Sequence, residues 1–371
     1  MDNAIGTRFM LLMTGINTRE QQKAALSLAN ALRLRGIMTV LALPKGSLFS
    51  KIFTGRGYEV VDIPNFPEAN GFFANIVRTL KLQSYSLEVS KILSIKTINA
   101  VLSFGGMSAY PILDAATKMN KVKIFLFEEN MVISRCSKAF MKKADRIYLP
   151  FEAMQENIGN EYYKKSFVAG IPVDKDVLKA DPVDVQNKKR KLLILTCKKD
   201  AKSFNATIRE LLTKYPEITK DFFIIHETGD KDIAAMQRYY EAHKIENVCD
   251  MFFDNRGIYY KVADIVITRP TSDIISELIA LKKQAIFLPL PEDKDPVQKQ
   301  NAVFMAKNNL GYIVEDVKSV NPNVRLKKIY SFLSSYLKHE YNMKENMTGL
   351  DFENSANRLA DDIEKVLKNG K

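Results

Sequence analysis

The chain has 371 residues, of which 46% are hydrophobic and 26% are charged, and its formal net charge is +12. This length exceeds what one hydrophobic core usually serves, so we expect two domains of an ordered globular protein. No run of sequence approaches the roughly 20 apolar residues of a membrane span, and residues 9–13 are too short for a signal-peptide core. We therefore expect a cytoplasmic protein. Three cysteines and three histidines are scattered along the chain, so neither a disulfide framework nor a metal site is expected.

The positive charge favours nucleic acid, an anionic membrane surface or a phosphorylated ligand as a partner. We find no zinc-finger spacing, no RNP-like aromatic motif and no helix-turn-helix pattern, so a nucleic-acid partner is not expected. Lysine and arginine are spread along the whole chain. A merely solvated basic surface is therefore an alternative that composition leaves open.

Short apolar runs alternate with helical patterns in the first half of the chain, as is typical of a parallel sheet covered on both faces. Between the first two runs, residues 19–35 carry apolar side chains at helical spacing, and Gly36 supplies a stop. The predicted strands are residues 9–13, 39–43, 59–63, 100–104, 123–127 and 146–149.

The alternation stops at residues 174–190, which are polar and charged, as a linker would be. A second cycle follows, and residues 353–367 then place apolar side chains on one helical face. The predicted strands of this cycle are residues 191–196, 222–226, 248–252, 264–268, 285–289 and 311–314. The predicted helices lie near residues 202–214, 231–243, 272–281 and 296–308.

These elements predict an α/β fold with two Rossmann-like, doubly wound domains that face a cleft. The first domain is expected at residues 1–173 and the second at residues 191–345, with the linker at 174–190. Residues 346–371 are expected to form a C-terminal helix that returns toward the first domain.

Candidate site residues of the first half follow its strands, because ligands bind beyond the carboxyl ends of parallel strands. Gly105 and Gly106 lie between a strand and a helix, where backbone N–H groups could approach a phosphate. A tight turn that needs a positive φ is an equal alternative. Glu128, Glu129 and Asn130 follow the next strand and could bind sugar hydroxyls, or they could cap the following helix.

In the second half, Arg269 stands at a strand end and Glu277 lies about one turn into the following helix. A carboxylate there could accept both hydroxyls of a ribose, whereas the alternative is a charge that complements the helix dipole. Gln298 and Asn301 lie one turn apart on one face of the next predicted helix.

The order of these loops resembles that of glycosyltransferase family 28, and specifically the enzymes that transfer N-acetylglucosamine from UDP-N-acetylglucosamine to undecaprenyl-pyrophosphoryl-muramoyl-pentapeptide. The resemblance covers nearly the whole chain and rests on an ordered set of segments. These are Phe-Gly-Gly-Met at 104–107, Phe-Glu-Glu-Asn at 127–130, Ala-Gly-Ile-Pro-Val at 169–173, Phe-Phe-Asp-Asn at 252–255, and residues 269–277 and 295–302.

The resemblance implies a glycosyltransferase of the GT-B type, which inverts the anomeric centre by direct displacement and needs no cofactor. The reaction would convert lipid I to lipid II in peptidoglycan synthesis, at the inner face of the cell membrane. The implied partners are a UDP-sugar donor, a polyprenyl-pyrophosphate-linked acceptor, an anionic membrane surface and other cell-wall synthesis proteins.

The resemblance also implies roles for individual residues. Glu277 would bind the uridine ribose, and Gln298 and Asn301 would bind the donor sugar. Arg269 and Ser276 would shape the donor loop. The residues that would face the lipid-linked acceptor are Gly15, Gly105, Gly106, Glu128 and Asn130.

The first loop, residues 13–21, departs from the family pattern, which is glycine-rich and ends in a histidine proposed to deprotonate the acceptor. Only Gly15 remains here, and Arg19 or Gln21 stands in the histidine position. Neither side chain can act as a general base. We therefore expect Glu128 or Glu20 to take this role, and we favour Glu128 because Glu20 begins a helix and could simply complement its dipole.

The donor-side loop, residues 196–202, is a second departure, because Thr-Cys-Lys-Lys-Asp-Ala-Lys replaces a Gly-Gly-Ser stretch of the family. Lys198 and Lys199, together with Lys202, bring positive charge to the place where a diphosphate would sit. Asp174 stands where an arginine that contacts the diphosphate is common.

A basic and apolar segment suggests contact with a membrane. An apolar cluster flanked by basic residues is typical of a helix at an anionic lipid surface, whereas the alternative is a helix packed on its own sheet. The apolar residues are Phe72, Phe73, Ile76, Val77 and Leu80, and the flanking basic residues are Arg78, Lys81, Lys91 and Lys96.

Two alternatives to the leading function remain open from the sequence. One is a glycosyltransferase that acts on another lipid-linked acceptor. The other is a non-catalytic nucleotide-sugar-binding or scaffold protein of the same fold, which the altered first and donor loops would allow.

Overall fold

The computed structural model describes residues 9–66, 72–196, 200–291, 295–315, 321–340 and 342–369, with the backbone alone for residues 72–80. Contacts divide the chain into two compact units. The first unit is Met1–Asp174 with Asn354–Lys371, and the second is Lys175–Glu353.

The first unit is built on a fully parallel sheet. Its strands are β1 (Met10–Thr14), β2 (Met38–Pro44), β3 (Glu59–Ile63), β4 (Ala100–Ser103), β5 (Lys123–Phe127), β6 (Arg146–Leu149) and β7 (Ser166–Val168). They lie in the order β3-β2-β1-β4-β5-β6-β7. The strand order reverses between β1 and β4, which pair from Leu11 with Ala100 to Thr14 with Ser103. Such a reversal is where doubly wound sheets bind ligands.

Helices cover this sheet. They are α1 (Arg19–Leu34), α2 (Ser50–Gly55), α3 (Phe72–Ile95), α4 (Tyr110–Thr117) and α5 (Arg135–Phe140), with short 3₁₀ segments at Met107–Ala109, Met141–Lys143, Glu152–Asn157 and Asn160–Lys165. Helix α1 begins after Thr18, whose hydroxyl accepts a hydrogen bond from the Gln21 amide. Its other alanine and leucine side chains are buried, whereas Leu34 at its end is exposed.

The described half of α3 packs on its own unit. Ser86, Val89 and Leu93 are buried at helical spacing, and Ser86 accepts a hydrogen bond from Lys118. The predicted apolar cluster of Phe72, Phe73, Ile76, Val77 and Leu80, with Arg78, lies outside the described side chains. Of the flanking basic residues, Lys81 and Lys91 are exposed, whereas Lys96 forms an ion pair with Glu59.

The second unit also has a parallel sheet. Its strands are β8 (Arg190–Leu195), β9 (Phe222–Glu227), β10 (Asn247–Asp250), β11 (Ile265–Thr268), β12 (Ala285–Phe287) and β13 (Tyr312–Ile313), in the order β10-β9-β8-β11-β12-β13. Its helices are α6 (Lys175–Leu178), α7 (Ala201–Lys214), α8 (Ile218–Asp221), α9 (Ile233–Ala242), α10 (Gly257–Val262), α11 (Ser272–Ala280), α12 (Pro296–Lys307) and α13 (Pro322–Leu337).

The segment expected to be a linker, residues 174–190, lies almost wholly in the second unit. The Asp176 carbonyl accepts a hydrogen bond from Asn255 (3.0 Å), and the Val183 amide donates to the Ile258 carbonyl (3.2 Å). These contacts hold the polar segment against α10 and the turn before it.

The last helix, α14 (Ser355–Asn369), belongs to the first unit and packs on α1. Arg146 on β6 forms a two-pronged ion pair with Asp362 (2.9 and 3.0 Å), and Tyr148 donates to the same carboxylate (3.1 Å). Arg35 at the end of α1 pairs with Asp361 (2.6 Å). The helix is therefore held by charged contacts as well as by its apolar face.

The predicted α/β class with doubly wound parallel sheets is confirmed. Each predicted strand is present, with ends that differ by up to two residues. Strand β7 and the helices α2, α6, α8, α10 and α13 were not predicted. Among the described residues, no helix is both long enough and apolar enough to cross a membrane.

Candidate functional site

The two loops at the carboxyl ends of β1 and β4 pack tightly against each other. Gly15 has a φ of +77°, and a Cβ placed on it would lie 3.0 Å from the Gly106 nitrogen. A Cβ on Gly106 would lie 2.6 Å from the Gly15 carbonyl oxygen and 2.2 Å from the side-chain nitrogen Nδ2 of Asn17. Any larger residue at either position would force the loops apart, so the structure brings two of the predicted acceptor residues together.

Gln21, one candidate for the histidine position, connects these loops. Its side-chain oxygen accepts from the amides of Asn17 (2.8 Å) and Thr18 (3.2 Å). Its amide group donates to the carbonyl of Phe104 (2.8 Å). The neighbouring Glu20 lies in the first turn of α1 and is half-buried. Gln21 therefore organises the two loops and contributes no titratable group to them.

Glu128 lies beside Gly105. A Cβ on Gly105, whose φ is +84°, would lie 2.8 Å from the Ser134 hydroxyl and 3.8 Å from a Glu128 carboxylate oxygen. The carboxylate is 3% exposed and accepts from the Ser134 amide (3.1 Å) and hydroxyl (2.9 Å). Burial raises the pKa of Glu128 to about 7, because the hydrogen bonds from Ser134 offset the loss of hydration only in part.

Asn130 is half-buried in the loop that follows β5. The loop leads to Ser134, whose hydroxyl accepts from the Ser137 amide (3.1 Å) and so caps α5. The carboxylate of Glu128 and the cap of α5 are thus joined through one serine.

Arg269 in the second unit is turned inward. Its guanidinium is 1% exposed, pairs with Asp200 (2.8 Å), donates to the Leu288 carbonyl and lies over the Phe204 ring. Arg269 therefore ties the loop after β11 to the ends of β8 and β12.

Gln298 and Asn301 make similar connections from α12. The Asn301 side chain donates to the Pro270 carbonyl (3.1 Å), and the Gln298 side chain accepts from the Leu290 amide (3.3 Å). Both are buried. The two predicted donor residues thus brace the loops that follow β11 and β12.

Glu277 lies on α11 within a cluster of buried polar side chains. Its carboxylate is 2% exposed and accepts from the Tyr260 hydroxyl (3.0 Å). Arg256 lies next to it and pairs with Glu227 (2.6 Å) and with Asp273 (3.5 Å). Glu277 is therefore a fixed, internal carboxylate rather than a mobile surface charge.

The basic donor loop is only partly described. Lys198 and Lys199 lie outside the described residues, whereas Lys202 is exposed on α7. Asp174, at the boundary between the units, is half-buried.

A buried histidine network, which was not predicted from the sequence, lies beside Thr196 at the start of that loop. The His226 Nδ1 accepts from the Tyr240 hydroxyl (2.7 Å), and its Nε2 donates to the Asn205 oxygen (3.1 Å). Asn205 in turn donates to the Thr228 carbonyl (2.9 Å). Burial, with a smaller effect of Arg209, lowers the pKa of His226 to about 3, so the imidazole is neutral. The sequence feature that could have pointed to this network is the single histidine directly after the apolar run of residues 222–225.

Within the parts of the chain that the structure describes, no three histidine, cysteine, aspartate or glutamate side chains are grouped so that they could hold a metal ion. The carboxylates around Arg256 are instead satisfied by that guanidinium and by the Tyr260 hydroxyl.

Comparison with known proteins places both halves in one family. The profile of the glycosyltransferase family 28 N-terminal domain matches residues 11–149, and that of the family 28 C-terminal domain matches residues 194–363. The UDP-N-acetylglucosamine--N-acetylmuramyl-(pentapeptide) pyrophosphoryl-undecaprenol N-acetylglucosamine transferase of Francisella tularensis subsp. holarctica is 27% identical over 306 residues, which cover 81% of this chain and 82% of the relative. The enzyme of the same name from Geotalea uraniireducens is 26% identical over 218 residues, with 58% and 59% covered.

Solved structures show the same fold. MurG of Acinetobacter baumannii matches with a TM-score of 0.73 at 18% identity, over 96% of this chain and 99% of that chain. A glycosyltransferase of Rickettsia africae matches with a TM-score of 0.65 at 15% identity, over 98% and 99%. The predicted GT-B type is thereby confirmed. Because the two domain profiles match in order and together span most of the sequence, the chain belongs to glycosyltransferase family 28.

Proposed function

We propose that this chain transfers N-acetylglucosamine from UDP-N-acetylglucosamine to an undecaprenyl-pyrophosphate-linked muramoyl pentapeptide, which converts lipid I to lipid II. The observation that carries the proposal is the similarity to enzymes named for this reaction, which extends over 81% of the chain at 27% identity. Both domain profiles of the glycosyltransferase family support the reaction class.

The donor is proposed to bind in the second unit. Glu277 takes the ribose hydroxyls, and Gln298 and Asn301 take the sugar. Support comes from the bracing of their loops, since Asn301 contacts Pro270 and Gln298 contacts Leu290. Lys198 and Lys199 are proposed to face the diphosphate, where positive charge stabilises the leaving group.

The acceptor is proposed to bind in the first unit, at the loops that hold Gly15, Gly105, Gly106 and Asn130. The acceptor hydroxyl oxygen attacks C1 of N-acetylglucosamine, and the bond from C1 to the UDP oxygen breaks with its electron pair leaving on UDP. The hydroxyl proton passes to a carboxylate. A single displacement of this kind inverts C1.

Glu128 is proposed as that carboxylate. A general base is most effective when its pKa lies near the working pH, and burial raises the pKa of Glu128 to about 7. Its position beside Gly105 supports the assignment. Glu20, in the first turn of α1, is the second candidate.

Peripheral attachment to the inner face of the cell membrane is also proposed, because a polyprenyl-linked acceptor resides in lipid. Exposed Lys81 and Lys91 on α3 support it, since basic residues near anionic lipid contribute about 1 kcal/mol each.

The test is UDP release by the wild type, Glu128→Gln and Glu20→Gln, with lipid I as acceptor. We expect Glu128→Gln to lose about 10² to 10⁴ in rate and Glu20→Gln to retain most activity. Full activity in both variants would contradict the assignment of the base. A wild type that binds UDP-N-acetylglucosamine but releases no UDP with any lipid acceptor would favour the binding or scaffold alternative.

A further inference from the structure

Tyr260 is buried directly against the proposed ribose-binding carboxylate. Its side chain is fully buried, and its hydroxyl donates to the Glu277 carboxylate (3.0 Å). Burial, with Glu277 adding to the effect, raises the pKa of Tyr260 well above its ordinary value of 10. The hydroxyl therefore stays protonated and acts as a donor. The hydroxyl is bonded to the Glu277 carboxylate, so an effect of Tyr260 on a ligand passes through Glu277.

Arg256 is the positively charged member of the buried polar cluster around Glu277. Its guanidinium forms two hydrogen bonds to Glu227 (2.6 and 3.2 Å) and an ion pair with Asp273 (3.5 Å). It also attracts Glu277 electrostatically. A forked guanidinium held at two points has little freedom, so the charge beside Glu277 has a defined position.

The hydrogen bond from Tyr260 holds the Glu277 carboxylate at one of its acceptor sites. That bond restricts rotation of the carboxylate about its last torsion. Restricting a binding group in advance lowers the entropy lost when the ligand binds.

We propose that Tyr260 is a positioning residue, which together with Arg256 orients Glu277 so that the site selects ribonucleoside over 2′-deoxyribonucleoside diphosphates. The inference rests on the proposed function in one respect, namely that Glu277 meets the ribose. Beyond that function, it predicts a preference for ribonucleoside diphosphates, which a purely structural role of Tyr260 would not produce.

The test compares the affinities of UDP and 2′-deoxyuridine diphosphate by calorimetry in the wild type, Glu277→Gln, Tyr260→Phe and Tyr336→Phe. The last variant is the matched control, because it also removes a largely buried tyrosine hydroxyl, one that donates to the Asp264 carbonyl at the amino end of β11 (3.0 Å). Melting temperatures of all variants are recorded alongside.

The wild type is expected to prefer UDP by about tenfold, as loss of one hydrogen bond to a charged group predicts. Glu277→Gln should remove most of this preference, and Tyr260→Phe should reduce it about threefold or more. Tyr336→Phe should keep it. If Tyr260→Phe does not fold, Arg256→Lys is expected to reduce the preference in the same direction.

Three results would overturn parts of this inference. If Glu277→Gln loses the preference but Tyr260→Phe and Arg256→Lys both keep it in full, the positioning role is wrong and the donor assignment stands. If the wild type shows no preference, or Glu277→Gln keeps it, the ribose assignment itself fails. If Tyr260→Phe binds both nucleotides more weakly by the same factor, Tyr260 has a structural role only.

Discussion

Replacing Glu128 by glutamine should stabilise the protein at alkaline pH while it removes the proposed base. The carboxylate is buried, and its pKa is raised from 4.5 to about 7. The folded state therefore binds a proton more tightly than the unfolded chain does. By linkage, the wild type has its full stability below about pH 4.5 and loses stability as the pH rises toward 7.

The magnitude follows from the size of the change in pKa. At 1.36 kcal/mol per pH unit, a rise from 4.5 to about 7 corresponds to about 3 kcal/mol of destabilisation above pH 7. Glutamine has the same shape and no charge, and it can keep hydrogen bonds to the amide and hydroxyl of Ser134. Between pH 5 and pH 8 the variant should therefore gain about 2 to 3 kcal/mol relative to the wild type.

The assay is urea unfolding at pH 5, 6.5 and 8, followed by circular dichroism because the chain has no tryptophan. All other titrations are common to both proteins and cancel in the difference. A difference in unfolding free energy that stays constant from pH 5 to pH 8 would refute the account of Glu128 as a buried, mostly desolvated carboxylate.

Three further predictions concern the contacts of the two units and the membrane. Arg269→Met should lower the free energy of unfolding by about 2 kcal/mol in urea titrations, because it leaves Asp200 and the Leu288 carbonyl without their partner; unchanged stability would show that the pair is unimportant. Asp362→Asn should speed amide exchange in α14, since it removes the charge that Arg146 and Tyr148 share, whereas Asp361→Asn, whose side chain is 64% exposed, should change little. Lys81→Glu combined with Lys91→Glu should reduce sedimentation with anionic vesicles at least tenfold and leave binding to neutral vesicles unchanged; equal sedimentation of the double variant and the wild type would count against the membrane proposal.

The fold could be predicted because its signals are local. Runs such as Leu193, Ile194 and Leu195 are buried on both faces of a parallel sheet, and such strands are recognised by apolar character alone. Strand β7 was missed because it is only three residues long and half-buried, so it lacks the long apolar run of a central strand.

The site was less predictable, because spacing shows where a residue lies but not which atoms it contacts. Gln21 was recognised as unable to act as a base, yet its bonds to Asn17 and Phe104 arise from two loops that are far apart in sequence. His226 sits in a buried network whose other members, Asn205 and Tyr240, come from two helices. Such contacts depend on the tertiary structure.

The central claim is inverting transfer of N-acetylglucosamine to a lipid-linked acceptor. The most direct measurement incubates the protein with lipid I and UDP-N-acetylglucosamine labelled with ¹³C at C1, and follows UDP release, the mass of the lipid and the configuration at C1 by NMR. The account predicts one added N-acetylhexosamine per UDP released, with the configuration at C1 opposite to that in the donor. Release of UDP with free N-acetylglucosamine and an unchanged lipid, or a product that keeps the donor configuration, would contradict it.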